Sequence, residues 1–442
     1  MRHMRPRQRG IALVAVTVAV ATTGLAACGS SSSASGGRVT LNWYINPDGG
    51  GTNPTGGGQA QLAAECSTSN YKINVSVLPN SASDQQTQLL RRLAVGDSTV
   101  DLMSVDPAYI SQFAAAGYFA PVPANMVSTF TAGRVQSSID ASTYDGKLIG
   151  VPFWANTQVL WYRKSVVAKA GLDMSKPVTW DQIIAAAQKT KTDIGVQAAL
   201  YEGYSVWINA LVAGAGGQIV ENPSASAGDI KMGLNSAAGR EAAAIIKKVA
   251  TTGVGGPAMG SSEESQALTL FSTAGSSGFM VNWPYVWAAL APGAGNPVTW
   301  RNSDLGFARY PETVAGKPSA PPVGGIELAV SKYSKHTALA YQAAACITSV
   351  QHQEQYMIGT GNPASSKAVY TMPAILKAFP NGLAALISSS LDAGVPRPLS
   401  PYWGDISTGL QEKFSPPNAV NQNTAASAQS FILKVLAGKA LE

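Results

Sequence analysis

Residues 279–289 read FMVNWPYVWAA. Phe279, Met280 and Val281 form an apolar run of the kind that makes a buried strand. Asn282, Trp283 and Pro284 mark its exit, and residues 285–289 start a helix. Pro284 suits the first helical turn, where its missing N–H would be unbonded anyway. Three aromatics, Trp283, Tyr285 and Trp287, crowd this strand-to-helix corner. Such a cluster packs a core as readily as it walls a cleft. Its meaning depends on what the rest of the chain builds around it.

The chain has 442 residues, enough for two or three domains and ample core. Its first stretch reads as a secretory signal rather than as fold. Arg2, Arg5, Arg7 and Arg9 form a positive region, residues 11–21 an apolar one, and Leu25-Ala26-Ala27-Cys28 the cleavage site. This is a lipobox, so residues 1–27 are expected to be removed and Cys28 to be diacylated. A single membrane-spanning anchor fits less well, because the run is rich in Ala and Thr and a cysteine sits at the cleavage position. Residues 28–37 (CGSSSSASGG) follow as a flexible tether. The formal net charge of +6 is largely a property of the signal, which holds four of the 31 basic residues and none of the 25 acidic ones. No basic run remains beyond it, and nucleic-acid binding is not expected.

Two cysteines are left, Cys66 and Cys346. In an exported chain they are expected to form a disulfide joining an early helix to a late one; two buried free thiols are the alternative.

Along the chain, residues 38–45, 72–78 and 100–105 alternate as strands, and 59–66, 84–94 and 108–116 are helical. This order predicts a parallel sheet with helices on both faces. Ligands in such sheets sit at strand carboxyl ends, where Asp106 stands, although an Asp before Pro also caps helices. Residues 146–167 (GKLIGVPFWANTQVLWYRKSVV) read as a crossing into a second lobe. There, 194–199 is predicted as a strand ended by Tyr201-Glu202-Gly203-Tyr204, with helices at 180–189, 206–213, 237–251 and 267–272. Residues 323–330 (VGGIELAV) look like a return crossing. A helix at 335–349 is continued by 351–358 and broken at 359–363, where the chain leaves again. A loop at 397–403 and a helix from Thr424 complete it.

The 95–106 (VGDSTVDLMSVD), 146–167, 281–288 (VNWPYVWA), 323–332 (VGGIELAVSK) and 359–365 (GTGNPAS) stretches, together with the lipobox, resemble the extracellular solute-binding proteins of carbohydrate ABC importers. Within that family the likeness is to the maltose- and trehalose-binding group, above all the lipoprotein of trehalose-recycling importers. The resemblance implies an α/β fold of two lobes that close on a sugar like a hinge. Lobe 1 would comprise residues 38–154 plus 325–359, and lobe 2 residues 155–324 plus 360–442.

Carried over residue by residue, the family's ligand contacts fall on Asp106, Asn156, Glu202, Tyr204, Trp283, Tyr285, Gly325, Arg397 and Trp403, with Asn46 and Asp48 in the glycine loop as further candidates. Trp287 is left to pack behind Trp283. The resemblance also implies a monomer on the extracellular face of the cytoplasmic membrane, tethered through Cys28. It would bind an α-linked disaccharide, trehalose first and then maltose or another α-glucoside, and pass it to the transmembrane permease subunits.

The residue types suit a sugar. Carboxylates and amides match hydroxyls, and indole planes match C–H faces. No cofactor or metal is expected. G-x-S-x-G, H-E-x-x-H and phosphate-cradling glycine motifs are missing, and His3, His336 and His352 are the only histidines. Two other readings stand beside this one. One is a secreted glycoside hydrolase using Asp106 and Glu202 as paired carboxylates. The other is an amino-acid or peptide receptor using Arg397.

Overall fold

The computed structural model describes residues 38–48, 51–273 and 275–441. The signal, Cys28 and the tether lie outside the described residues.

Two sheets divide the long strands between them. The first has the order Tyr71–Val77, Val39–Ile45, Leu102–Val105, Val323–Val330, Gly150–Thr157. Its first three strands are parallel, as their spacing with intervening helices requires. Val323–Val330 enters antiparallel to both of its neighbours, so the sheet is mixed rather than wholly parallel. The second sheet has the order Leu305–Ala308, Val159–Arg163, Ser277–Asn282, Asp193–Gly195. Ser277–Asn282 is buried along its whole length. That explains its unbroken apolar run, since a strand covered on both faces shows no alternation.

The crossings follow from the pairing. Gly150–Thr157 ends in the first sheet, and Val159–Arg163 opens in the second after Gln158 alone. The chain returns through a proline-rich segment between Leu305–Ala308 and Val323–Val330. Helix Val350–Thr360 stops at Gly361 in the left-handed region.

Several local expectations hold. The helix predicted at 180–189 runs Trp180–Thr190, capped by Thr179 in a capping box closed by Gln182. Helix Ala237–Thr251 has the predicted bounds. Cys66 and Cys346 form the expected disulfide, tying the end of helix Gln59–Glu65 to helix Thr337–Ile347.

Others change. The strand predicted over 194–199 is short, Asp193–Gly195, and the following helix starts four residues early, running Glu202–Gly214. Nearly all of this helix is buried, so it has no polar face whose period would betray its start. The late helix predicted as continuous is two helices, Thr337–Ile347 and Val350–Thr360. Between them Ser349 caps the second through His352 N. Trp403 is not in a loop but opens helix Trp403–Phe414.

Behind the crossing strand lies a buried polar cluster. Glu327, on Val323–Val330, is 1% exposed; Ser142 Oγ donates to its Oε2 at 2.8 Å, and its Oε1 has no partner. Arg134 is buried nearby, with Nε and Nη1 unpartnered. Burial raises the Glu327 pKa to about 8, partly offset by the Ser142 hydrogen bond and the Arg134 charge. A raised carboxyl pKa means that the folded state holds the proton more tightly. The stability from this group is therefore whole below the ordinary carboxyl range and is lost as pH rises towards 8. Between pH 5 and 8 the wild-type melting temperature should fall, by up to ~1.4 kcal/mol of stability per pH unit from this group. Glu327→Gln should flatten that fall; an unchanged slope in thermal denaturation across this range would show that Glu327 is not its source.

Candidate functional site

A cavity of about 600 Å³ is lined by residues from elements of both sheets. Asp48, Asp106, Trp154, Asn156, Gly324 and Gly325 line it from elements of the first sheet. Tyr201, Glu202, Glu264, Trp283 and Tyr285 line it from elements around the second, and Arg397 reaches in from the C-terminal segment.

Glu202 is the most heavily bonded of these. It stands in the first turn of helix Glu202–Gly214 and is 2% exposed. Its Oε1 accepts from Arg397 Nη1 at 2.6 Å and from Trp403 Nε1 at 2.7 Å. Its Oε2 accepts from Tyr109 OH at 2.9 Å and Ser407 Oγ at 2.5 Å. Arg397 Nη2 donates to Asp106 Oδ1 at 2.6 Å, and that same oxygen accepts Ala108 N at 2.9 Å. Asp106 therefore caps helix Pro107–Ala115 and also lines the cavity. Burial alone would lower the Arg397 pKa, but Asp106 and Glu202 raise it, so the guanidinium stays charged. Burial, followed by the Glu202 charge, keeps Tyr109 neutral.

The aromatic corner supplies the facing wall. The outer ring edge of Trp283 approaches the crossing strand so closely that a Cβ at Gly324 would come within 3.0 Å of it. Gly325 has φ +120°, and a Cβ there would stand 2.2 Å from Trp154 O. Only glycine fits at 325, whereas a side chain at 324 would push on the Trp283 ring. Asn282 orders the corner: its Oδ1 accepts Trp283 N at 2.8 Å and its Nδ2 donates to Glu264 O at 3.0 Å. Trp287 turns away, donating from Nε1 to Ala378 O at 2.8 Å.

Eight of the eleven ligand-contact candidates named from the sequence line the cavity: Asp48, Asp106, Asn156, Glu202, Trp283, Tyr285, Gly325 and Arg397. Three lie behind it. Tyr204 is fully buried and donates its hydroxyl to Phe414 O at 2.7 Å, because a residue two positions along a helix from Glu202 points away from the Glu202 face. Trp403 is also fully buried, its indole spent on Glu202. Asn46 is 1% exposed and holds Asp48 from behind, donating from Nδ2 to Asp48 Oδ2 at 2.7 Å, while Gln59 Nε2 donates to Asn46 Oδ1 at 2.7 Å. Asp48 opens to the cleft but is crowded by protein, and this burial raises its pKa.

Glu264, Tyr201 and Trp154 also line the cavity and were not singled out from the sequence. Tyr201 OH donates to Glu264 Oε2 at 2.8 Å, and burial raises the Glu264 pKa. Its Ser-Ser-Glu-Glu-Ser context reads as a solvated loop and gave no signal.

The lining holds five carboxylates (Asp48, Asp106, Glu202, Glu263, Glu264) and one cation, Arg397, whose two terminal nitrogens are already bonded. Amides at Asn80, Gln85, Asn156, Gln266 and Asn362 stand among the aromatics. This surface can accept many hydrogen bonds and can stack flat apolar faces, but it has no free cation for an anion. Among the described residues, the one group of potential metal ligands is Cys66, Cys346 and His352, outside the cavity, with its sulfurs joined in the disulfide.

Comparison with known proteins gives a consistent result. Residues 57–354 match the family model for bacterial extracellular solute-binding protein. A curated relative, the probable ABC transporter-binding protein of Deinococcus radiodurans, is 28% identical over 269 residues, 59% of this chain and 60% of that protein. The chain thus spans a little over half the length of the curated relatives it matches. Among solved structures, maltose-bound MalE3 of T. maritima superposes with a TM-score of 0.76 at 19% identity, covering 91% of this chain and 100% of that one. The GacH receptor of Streptomyces glaucescens, solved unliganded and with acarbose, gives 0.73 at 18% identity, with 91% and 100% covered. These likenesses establish the two-lobe periplasmic-binding-protein-like fold, mixed α/β, with the cavity between the lobes. The chain belongs to the bacterial extracellular solute-binding proteins.

Proposed function

We propose that this chain is the solute-binding subunit of an ABC sugar importer, and that it captures an uncharged α-linked disaccharide between its lobes, trehalose first and then maltose or another α-glucoside. The observation that carries this reading is the composition of the cleft. Five carboxylates surround one guanidinium that is already bridged, beside a wall of Trp283, Tyr285, Trp154 and Tyr201. A phosphate or carboxylate entering it would meet like charge and no free donor cation. Sugar hydroxyls, each both donor and acceptor, would meet acceptors at Asp48, Asp106 and Glu264 and amides such as Asn156. Once the lobes exclude water, a sugar lacking one hydroxyl strands a buried partner, which is how such a site discriminates. The maltose and acarbose complexes of the structural relatives lend support.

In this reading, lobe 1 is residues 38–154 plus 325–359 and lobe 2 is residues 155–324 plus 360–442, with the crossing strands as hinge. The chain acts as a monomer tethered through a lipid on Cys28 and delivers its sugar to the permease subunits. Among the described residues, no helix is long and apolar enough to cross a membrane. Hydrolysis is the weaker reading. An acid–base pair needs one carboxyl free to carry a proton to the scissile bond. Glu202 has both oxygens occupied by four donors, and Asp106 shares its guanidinium.

Calorimetry against trehalose, maltose and trehalose 6-phosphate tests the proposal. Trehalose should bind without releasing glucose, and its 6-phosphate at least about tenfold more weakly, a difference of ~1.4 kcal/mol. Preference for the phosphate, or turnover, would refute it. Trp283→Ala should weaken trehalose binding by about tenfold or more with little loss of fold; unchanged affinity would place the ligand elsewhere. Arg397→Ala should cost ~3–5 kcal/mol in chemical denaturation, because it leaves Asp106 and Glu202 facing each other without their shared cation. A loss below 1 kcal/mol would mean that the bridge behaves as a surface pair.

A further inference from the structure

The Cys66–Cys346 disulfide lies apart from the cleft, and its surroundings hold chemistry that sugar binding does not use. Cys66 follows helix Gln59–Glu65 as its C-cap, and Cys346 stands in the last turn of Thr337–Ile347. A thiolate at either place is disfavoured by the helix dipole, unless a cation stands beside it. His352, in the first turn of Val350–Thr360, stands beside both sulfurs. Its Nδ1 is 3.5 Å from Cys66 Sγ and 3.7 Å from Cys346 Sγ, and 2.6 Å from Cys346 O. Its Nε2 is 3.5 Å from Glu65 Oε2, the charged group in ion-pair range of the ring. Nδ1 thus faces the Cys346 carbonyl at hydrogen-bond range, and Nε2 faces the Glu65 carboxylate at ion-pair range. Glu65 is itself held by Gln61 and Gln355, each at 2.9 Å. The two sulfurs also differ in access. Cys66 is 1% exposed, whereas Cys346 is only partly buried.

We propose that Cys66–Cys346 is an exchange-competent redox site, opened by a dithiol reductant that attacks Cys346 while His352 stabilises the departing Cys66 thiolate, and that its opening loosens the Asp48 wall of the cleft. In the first step a reductant thiolate forms a bond to Cys346 Sγ. The electron pair of the protein S–S bond leaves on Cys66 Sγ, which takes up a proton. In the second step the other thiol of the reductant, deprotonated, attacks its own sulfur in the mixed disulfide. Cys346 leaves as a thiolate and is protonated in turn. The dithiol is oxidised by two electrons to its disulfide, and the protein gains two thiols.

The link to the cleft runs through one short helix. Gln59–Glu65 has seven residues and is marginal without tertiary ties. Its far end is fixed by the disulfide. At its near end Gln59 Nε2 donates to Asn46 O and Oδ1 at 3.0 and 2.7 Å, and Asn46 holds Asp48. This second half of the proposal rests on the cleft's being the sugar site.

The test is the rate at which dithiothreitol releases thiols from the folded, full chain, wild type against His352→Gln. At pH 6.5 the wild type should be reduced about tenfold faster, as a better leaving thiolate departs faster. The ratio should fall towards one as the pH is raised. Glu65→Gln, which leaves the ring in place, should lower the ratio partway. Equal rates at every pH would overturn the redox site. Trehalose titrated into oxidised and reduced wild-type protein should show at least about threefold weaker binding after reduction; equal affinity would sever the link to the cleft. If the oxidised chain binds no disaccharide, the proposed function fails, while the reduction rates still decide the redox site.

Discussion

Arg397 sits between two carboxylates that the fold brings together from opposite sides of the cleft, and the shape and charge of the cleft follow from that bridge. Asp106 ends a strand of the first sheet, and Glu202 opens a helix beside the second. Both donate nothing and need a cation or several hydrogen bonds to be buried. The guanidinium, 4% exposed, meets each at 2.6 Å. A buried pair of this kind adds little net stability relative to apolar packing, but losing one partner is costly. Its contribution is therefore to geometry. It fixes where two acceptors point and uses up the cleft's one positive charge.

The crossing strand Val323–Val330 adds a second constraint. It pairs with Leu102–Val105 on one side and Gly150–Thr157 on the other, so it welds the first sheet to the passage into the second. The register shifts between Ile326 and Glu327, just beyond the Gly324–Gly325 pair. The glycines admit Trp283 and the Trp154 carbonyl at close range, which holds the aromatic wall against the crossing strand.

Much of this was legible in the sequence. Alternation exposes the half-buried strands Val39–Ile45 and Tyr71–Val77, and capping chemistry marks Thr179. Two cysteines in an exported chain leave one pairing. Three kinds of information were not local. Strand direction is one: nothing in VGGIELAV says that it enters antiparallel. The start of a wholly buried helix is another, since Glu202–Gly214 has no polar stripe to phase. The third is which face an aromatic presents. Trp403 and Tyr204 have the right residue type for a sugar wall but spend their polar atoms on Glu202 and Phe414 O inside the protein. Glu264 was hidden for the opposite reason, because only the fold brings its carboxylate to Tyr201 and Trp283.

The most direct test of the account is a crystal structure of the chain grown with trehalose. The account predicts one disaccharide in the cavity, a glucose ring stacked on Trp283, hydroxyls on Asp48 and Asn156, and Arg397 still bridging Asp106 and Glu202. An empty cavity, a sugar bound outside it, or a guanidinium that abandons both carboxylates for the ligand would contradict it.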